Sequence, residues 1–404
     1  MRRVSIAALI AATLFSANQA PGQSLSDNAV KIGILTDMSG GFADLAGQGS
    51  VDAASMAVAD YKKEMNPPFA IELIHADHQN KADIGSNIAR SWYDRDGVDA
   101  IFDVTNSAVA LAVSAVTQDK NRILIATGGG TTRLTNENCS PNTISYAWDT
   151  YGFANGLASA VTGLGYDSWY IISVDYALGH TFSQDATNAI VARGGKVLGK
   201  VAHPIGTADF ASFILQAQAS GAKAIGIANA GADLHNALKT AVSFGLPSKQ
   251  LLVPFAATMT DIRALGLDMM QGTHVIDAFY GNLNDETRTW SDRYQKAYKR
   301  YPNFVHASTY SAVRTYLKAV QDTMSDTAAT VMKQLKSTNI SDMFTKDGHI
   351  RQDGRMVHDL YLLKVKKPAA SSGPNDFVEL VSTIAGDRAF QPLSESRCKL
   401  VNAK

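Results

Sequence analysis

The sequence predicts an α/β protein built from two halves with parallel sheets. Three observations carry that prediction. Short apolar runs rich in Val and Ile recur along the chain, amphipathic stretches separate them, and several runs end in small, hydroxyl-rich or glycine-rich turns. Strands alternating with helical patterns of about 10 to 15 residues imply βαβ units and a parallel sheet.

The first half reads in order. Val30–Thr36 (VKIGILT) is a strand, and Ala46–Met65 has the apolar spacing of an amphipathic helix until Asn66, Pro67 and Pro68 stop it. Phe69–His75 is a second strand, Ala82–Asp94 a helix and Ala100–Val104 a third strand. Immediately after it, Asn106 and Ser107 sit where a helix of Ala, Val and Leu begins. Ile123–Ala126 is again a strand, followed by Gly128, Gly129, Gly130, Thr131 and Thr132. Turns of this composition expose backbone N–H groups and hydroxyls at the carboxyl edge of a parallel sheet, where α/β proteins collect small anionic or zwitterionic ligands. Neither turn contains a catalytic group, so the reading is binding without chemistry.

Further along, SWYIISVD, KVLGKVAHP, KAIGIANA, QLLVPFA and GTHVIDAF read as strands with helices between them. Residues 29–147 are thus expected to build one sheet and 150–277 another. The run from Asn284 has two helical patterns separated by Tyr301 and Pro302 and lacks strands of its own, so it is expected to return to the first half. GHIRQDGRMVHDLYLLKVK reads as a hairpin with Asp353 and Gly354 at its turn. The expected division is lobe 1 from 29–147 plus about 280–335, lobe 2 from 150–277 plus about 340–385, and a tail over 386–404.

Composition narrows the function. The 404-residue chain carries 37 Lys and Arg against 37 Asp and Glu, a balance that points neither to nucleic acid nor to an anionic membrane. Arg2 and Arg3 precede an apolar run from Val4 to Phe15 and a small-residue stretch to Gly22, the layout of a secretory signal peptide over residues 1–22. Export places the two cysteines, Cys139 and Cys398, in an oxidising compartment, where pairing is expected over two free thiols.

The order of motifs is specific. KIGILTDMSGGFADLAGQG, NSAVALA, GGGTTRLT, VDYALGH, IANAGAD, DIRALGL and VHASTYSAVRTYLKAV follow one another as in the leucine/isoleucine/valine-binding family. The chain resembles these periplasmic substrate-binding proteins of ABC importers over roughly residues 29–365. The resemblance implies a type I periplasmic binding fold, with two Rossmann-like lobes joined by a three-segment hinge that closes on a ligand. It also implies a small-molecule solute, an amino acid or related carboxylate, and delivery to an ABC permease and ATPase complex in the inner membrane, with no cofactor and no metal.

Carried over residue by residue, the resemblance gives Ser107 the ligand's carboxylate and gives Gly129 and Thr131 a carbonyl and a hydroxyl toward an α-amino acid. Tyr176 becomes an aromatic wall and Asp261 the acid near the ammonium, with Asp175 as a fallback. Each has a plain structural alternative: a helix N-cap for Ser107, a tight turn for the glycines, core packing for Tyr176 and a helix cap for Asp261. Two positions depart from the family. Leu45 stands where the first loop often has an aromatic residue, and Ala232 stands where a tyrosine often follows a strand of the second lobe. Both remove bulk, with Asn229 beside Ala230 and Gly231 as a source of polar contacts, so the alternatives of an aromatic acid, an amide or a urea-like solute stay open.

The chain has no HExxH helix, no G-x-S-x-G elbow, no G-x-x-x-x-G-K-[ST] loop and no cysteine pair at zinc spacing, so an enzyme is not expected. His75 and His78 around Asp77 read as a solvated turn, and His180 as a residue near Tyr176. A ligand-sensing subunit for a receptor would share the same lobes.

Overall fold

The computed structural model describes residues 25–401; the expected signal peptide lies outside them. Apolar alternation and buried β-branched residues produce two parallel sheets. The first contains β1 (Ala29–Thr36), β2 (Ala70–Asp77), β3 (Ala100–Asp103), β4 (Ile123–Ala126) and β5 (Thr143–Ser145) in the order β2-β1-β3-β4-β5. Its helices are α1 (Gly47–Met65), α2 (Ala82–Asp94) and α3 (Ser107–Asp119). As expected, Asn66 terminates α1, in the left-handed conformation that asparagine tolerates.

After β5 the chain crosses to the second lobe and begins α4 (Thr150–Gly163). There β6 (Ser168–Val174), β7 (Lys196–His203), β8 (Ala224–Ala228) and β9 (Leu251–Pro254) pair in parallel in the order β7-β6-β8-β9. They are connected by α5 (Ala177–Ala192), α6 (Ala211–Ala219) and α7 (Gly231–Ser243) and followed by α8 (Met259–Leu265) and α9 (Leu267–Met270). One strand departs from expectation. β10 (His274–Asp277) does not extend this parallel sheet, because its partners lie far downstream and run against it.

The helical run then packs against the first lobe. α10 (Asp285–Tyr298) and α11 (Phe304–Thr323) pack on α1: Tyr294 Oη donates to the Gly49 carbonyl at 2.7 Å, and Tyr61 Oη donates to Gln321 Oε1 at 2.6 Å. Arg293 reaches Asp60, and Arg314 reaches Glu64. α12 (Ala328–Ser337) follows.

The expected hairpin forms between β11 (His349–Ile350) and β12 (Met356–Val357), with Asp353 and Gly354 in its turn. Its place differs from the expected division, however. Ser145 N donates to the Gly354 carbonyl at 2.9 Å, so the hairpin sits on β5 of the first lobe. Only the next strands, β13 (Leu360–Val365) and β14 (Val378–Ile384), join β10, giving an antiparallel sheet in the order β10-β13-β14. A hairpin's period-2 pattern shows which residues face inward but not which sheet receives it.

Three chain segments therefore link the lobes, near Ala147–Asp149, after Asp277 and at Val357–Asp359. Arg355, with no exposed surface, ties the first to the third. Its Nη1 donates to Ser145 Oγ at 3.0 Å and to the Trp148 carbonyl at 2.9 Å, its Nε donates to the Met356 carbonyl at 2.8 Å, and its guanidinium lies 4.3 Å from the Phe390 ring centroid. Burial pushes its pKa down to about 10, leaving it charged at neutral pH. His358 Nε2 lies 2.6 Å from the Ala147 carbonyl in the same crossing. The tail begins with α13 (Gly386–Ala389) and ends on the first lobe, where Cys398 is disulfide-bonded to Cys139. Among the described residues no helix is long and apolar enough to cross a membrane.

The disulfide spans 259 residues, and a loop of that length restricts the unfolded chain strongly. Replacing both cysteines by serine is expected to lower the unfolding free energy by about 2–4 kcal/mol in urea titrations, without changing the secondary structure seen by circular dichroism.

Candidate functional site

The carboxyl edges of both parallel sheets face one cleft, and a buried carboxylate shapes the first wall. Asp37, just past β1, accepts from Gly40 N at 2.8 Å, Phe42 N at 2.9 Å and Asn80 Nδ2 at 2.6 Å. These bonds fold the loop so that Phe42 and Leu45 line the cleft.

The second wall starts where β3 ends at Asp103, one residue earlier than expected. Asp103 and Val104 take φ of +74° and +54°, which non-glycine residues rarely adopt. The chain thereby swings Asn106 into the cap of α3, where its Oδ1 accepts from Ala108 N at 2.8 Å and Val109 N at 3.1 Å. Capping falls to Asn106 and not to Ser107. Ser107 becomes the first helical residue, and its buried Oγ has no hydrogen-bond partner in the protein.

Packing explains the glycines after β4. A Cβ on Gly130 would stand 2.3 Å from the Trp148 ring, and one on Gly129 would stand 2.7 Å from Ala110 Cβ. Gly128 and Gly130 line the inner cavity, while Gly129 packs on α3. The Trp148 indole donates to the Gly128 carbonyl at 3.2 Å and so belongs to both the hinge and the cavity wall. Thr131 caps a short 3-10 helix over Thr132–Thr135, and its hydroxyl lies 3.3 Å from Thr181 Oγ1 of the second lobe. That hydroxyl is engaged in a contact between lobes and does not line the cavity.

From the second lobe come Tyr176, Leu178 and Ala230. Tyr176 precedes α5, and its hydroxyl is buried without a partner. Burial, reinforced by Asp233, pushes its pKa far up, so it stays a neutral phenol able to donate. Ser107 and Tyr176 thus meet from opposite lobes around a cavity of about 10 Å³. No carboxylate lines it. Asn229 is fully buried beside this wall, with Oδ1 2.8 Å from His203 Nε2 and Nδ2 unpartnered, but it does not line the cavity.

Leu45 separates this inner cavity from an outer one of about 190 Å³, which also lies between the lobes and contains Ala232 and Asp261 in its walls. The lobes meet at Gly231, whose φ is +61°; a Cβ there would stand 2.3 Å from the Gly41 carbonyl oxygen. Asp261 occupies the capping position that its sequence context also allowed. Its Oδ2 accepts from Thr258 N and Oγ1, both at 2.8 Å, and its Oδ1 lies 2.7 Å from His235 Nε2. Both oxygens are thus engaged within the second lobe, in a cap and in a histidine contact. Asp175 and His180 pair with each other at 2.8 Å on an exposed surface. His78 is buried beneath the first loop, where burial pushes its pKa down to about 4.

The sequence reading missed Phe42, Trp148, Leu178 and His235. Their apolar or hinge positions give no local motif, and the closed lobes alone bring them together.

A second contact between lobes lies further along α5. Asp185 accepts from Thr150 Oγ1 at 2.7 Å and from Thr132 Oγ1 of the first lobe at 3.2 Å. Burial, with Asp149 and Glu137 nearby, pushes its pKa up to about 7.

A family model described as periplasmic binding protein matches residues 29–373. A solved periplasmic binding protein from Burkholderia mallei is 45% identical, covering 93% of this chain and 99% of its own, with a TM-score of 0.90. A branched chain amino acid ABC transporter periplasmic ligand-binding protein from Burkholderia xenovorans is 37% identical, covering 92% and 100%, with a TM-score of 0.83. A solute binding protein of an ABC transporter from R. palustris, solved with 4-hydroxybenzoate, shares the fold at 18% identity over 90% of this chain and 98% of its own, with a TM-score of 0.81. No curated protein matches the chain.

Two outcomes are expected. Gly231→Ala adds a methyl against the Gly41 carbonyl, so ligand affinity by calorimetry should fall at least about tenfold, while the strained φ costs only about 1–2 kcal/mol in global stability. Asp185 holds its proton in the fold to about pH 7, whereas the unfolded chain releases it near pH 4. The folded state binds more protons between these values, so this group's contribution to stability falls as pH rises from about 4 to 7 and then levels off. Urea titrations across that range should show wild type losing stability relative to Asp185→Asn; parallel profiles would contradict the assignment.

Proposed function

The chain belongs to the periplasmic binding protein family, and from that premise we propose that it captures a small organic carboxylate between its lobes for delivery to an ABC permease. Proteins of this family are solute receptors of ABC transporters, and the chain's place is accordingly the periplasm.

The observation that carries the ligand reading is the pair of unpartnered hydroxyls, Ser107 Oγ and Tyr176 Oη, contributed by opposite lobes to one cavity. Both can donate to the same carboxylate, and hydrogen bonds to a charged group are the stronger kind. The start of α3 favours an anion further, since a helix N-terminus carries partial positive charge. Around these donors the wall is Phe42, Leu45, Trp148 and Leu178, apolar in character, but the closed cavity of about 10 Å³ seats only a water-sized group, so an apolar or aromatic body has to extend beyond it. With no carboxylate lining the inner cavity and Asp261 engaged, an ammonium group gains little there. An aromatic or apolar acid therefore fits better than an α-amino acid.

Nothing in this arrangement activates a bond. The site binds and closes, and the bound form is what a permease receives.

A calorimetric panel of benzoate, phenylacetate, leucine, phenylalanine and benzamide tests the reading. The acids without an amino group should bind, and benzamide, lacking the charge, should bind far more weakly. Ser107→Ala and Tyr176→Phe should each weaken the best acid about 10- to 100-fold while leaving the melting temperature of the free protein unchanged or higher. Tighter binding of leucine than of any simple acid would return the site to amino acids.

A further inference from the structure

The outer cavity adds a second reading element. Its walls come from both lobes: Ala43, Asp44 and Leu45 of the first, and Ala232, His235 and Thr260 of the second. At about 190 Å³ it is the roomier of the two chambers, and Leu45 lines both. A ligand whose carboxylate sits at Ser107 and Tyr176 and whose body extends past Leu45 would bring its far end into the outer chamber, where His235 stands in the wall.

His235 is held in one orientation. Its Nε2 lies 2.7 Å from Asp261 Oδ1, and Asp261 is fixed in turn by both the backbone N–H and the hydroxyl of Thr258. A carboxylate only accepts, so in the neutral ring the proton sits on Nε2 and Nδ1 is left as a bare acceptor. Nδ1 has no partner among the described residues, and His235 is partly exposed to the cavity. Asp44 at the rim adds negative charge to the same chamber. The chamber thus offers acceptors and negative potential, and neither lysine nor arginine lines it.

We propose that the ligand is a carboxylate whose far end carries an O–H or N–H donor, read by His235 Nδ1 with Asp261 as the positioning residue. This rests on the reading of the inner cavity as the carboxylate site. It assigns the outer end a sign: donors are accepted there, while acceptor-only groups and a second carboxylate are rejected. Discrimination of this kind is strong when a site's own polar group is left unpaired by the wrong ligand.

Two para-substituted benzoates of similar size test it. 4-Aminobenzoate presents a donor, and 4-methoxybenzoate presents only an acceptor. Calorimetry on the wild-type protein is expected to show 4-aminobenzoate binding at least about tenfold tighter. His235→Leu should bring the ratio close to one. Asp261→Asn provides a readout that a merely structural role would not move: the amide N–H would donate to Nε2 and force the ring proton onto Nδ1, so the preference should invert toward 4-methoxybenzoate. A wild-type ratio near one, or a ratio unchanged in His235→Leu, would overturn the inference and leave the carboxylate site standing. If neither compound nor benzoate itself binds, the reading of the inner cavity fails and the inference with it.

Discussion

Two hydroxyls, Ser107 Oγ and Tyr176 Oη, face one small cavity from opposite lobes, and the protein offers neither of them a partner. A buried polar group left unpaired costs about 1–3 kcal/mol, and here one such cost comes from each lobe. On the proposed reading, both hydroxyls are hydrated in an open form, and a ligand that accepts from both favours the closed one. Closure and binding are then one event, and the free energy that shifts the lobes is the ligand's differential affinity for the closed state. The proposed carboxylate meets that constraint, because one such group has enough lone pairs for two donors.

Much of the surrounding structure serves that placement. Asn106 caps α3 and so leaves the Ser107 hydroxyl unused. The strained turn at Asp103 and Val104 sets the direction of that helix start, and Gly130 lets the Trp148 ring approach the cavity. Trp148 continues into the hinge, where its carbonyl accepts from buried Arg355, so the cavity floor and the lobe crossing share atoms. Its ring also packs against Phe153, Phe182 and Phe304, with Phe182 stacked on Phe255 and Phe255 on Trp169. This aromatic column runs from the hinge into the second sheet. Breaking the Arg355 cluster would leave a charge or its partners unpaired in the interior, which is far costlier than the loss of one surface pair.

The scaffold was legible because its signals are local. Val30–Thr36, Ala82–Asp94 and Ile123–Ala126 declare themselves by periodicity and by their stops, and Tyr301 with Pro302 separates α10 from α11 as expected. Pairing partners were less legible. GTHVIDAF reads like every other buried strand, yet β10 joins β13 and β14, because an apolar run carries no mark of parallel or antiparallel neighbours. The hairpin around Asp353 was visible, but its seat on β5 depends on a contact with Ser145 some two hundred residues earlier in the chain. At the site, Ser107 and Tyr176 stood out through their turns. Thr131 and Asp261 also stood out, and the structure gives their polar atoms to a lobe contact and to a helix cap. Composition identifies which groups could bind; only the hydrogen-bond accounting shows which are already used.

The most direct measurement of the central claim is a crystal structure with a bound carboxylate such as benzoate. The account predicts closed lobes, with Ser107 Oγ and Tyr176 Oη both at hydrogen-bond distance, about 2.7 Å, from oxygens of one carboxylate. A carboxylate seated elsewhere in the cleft, with either hydroxyl still unpartnered in the closed form, would contradict it.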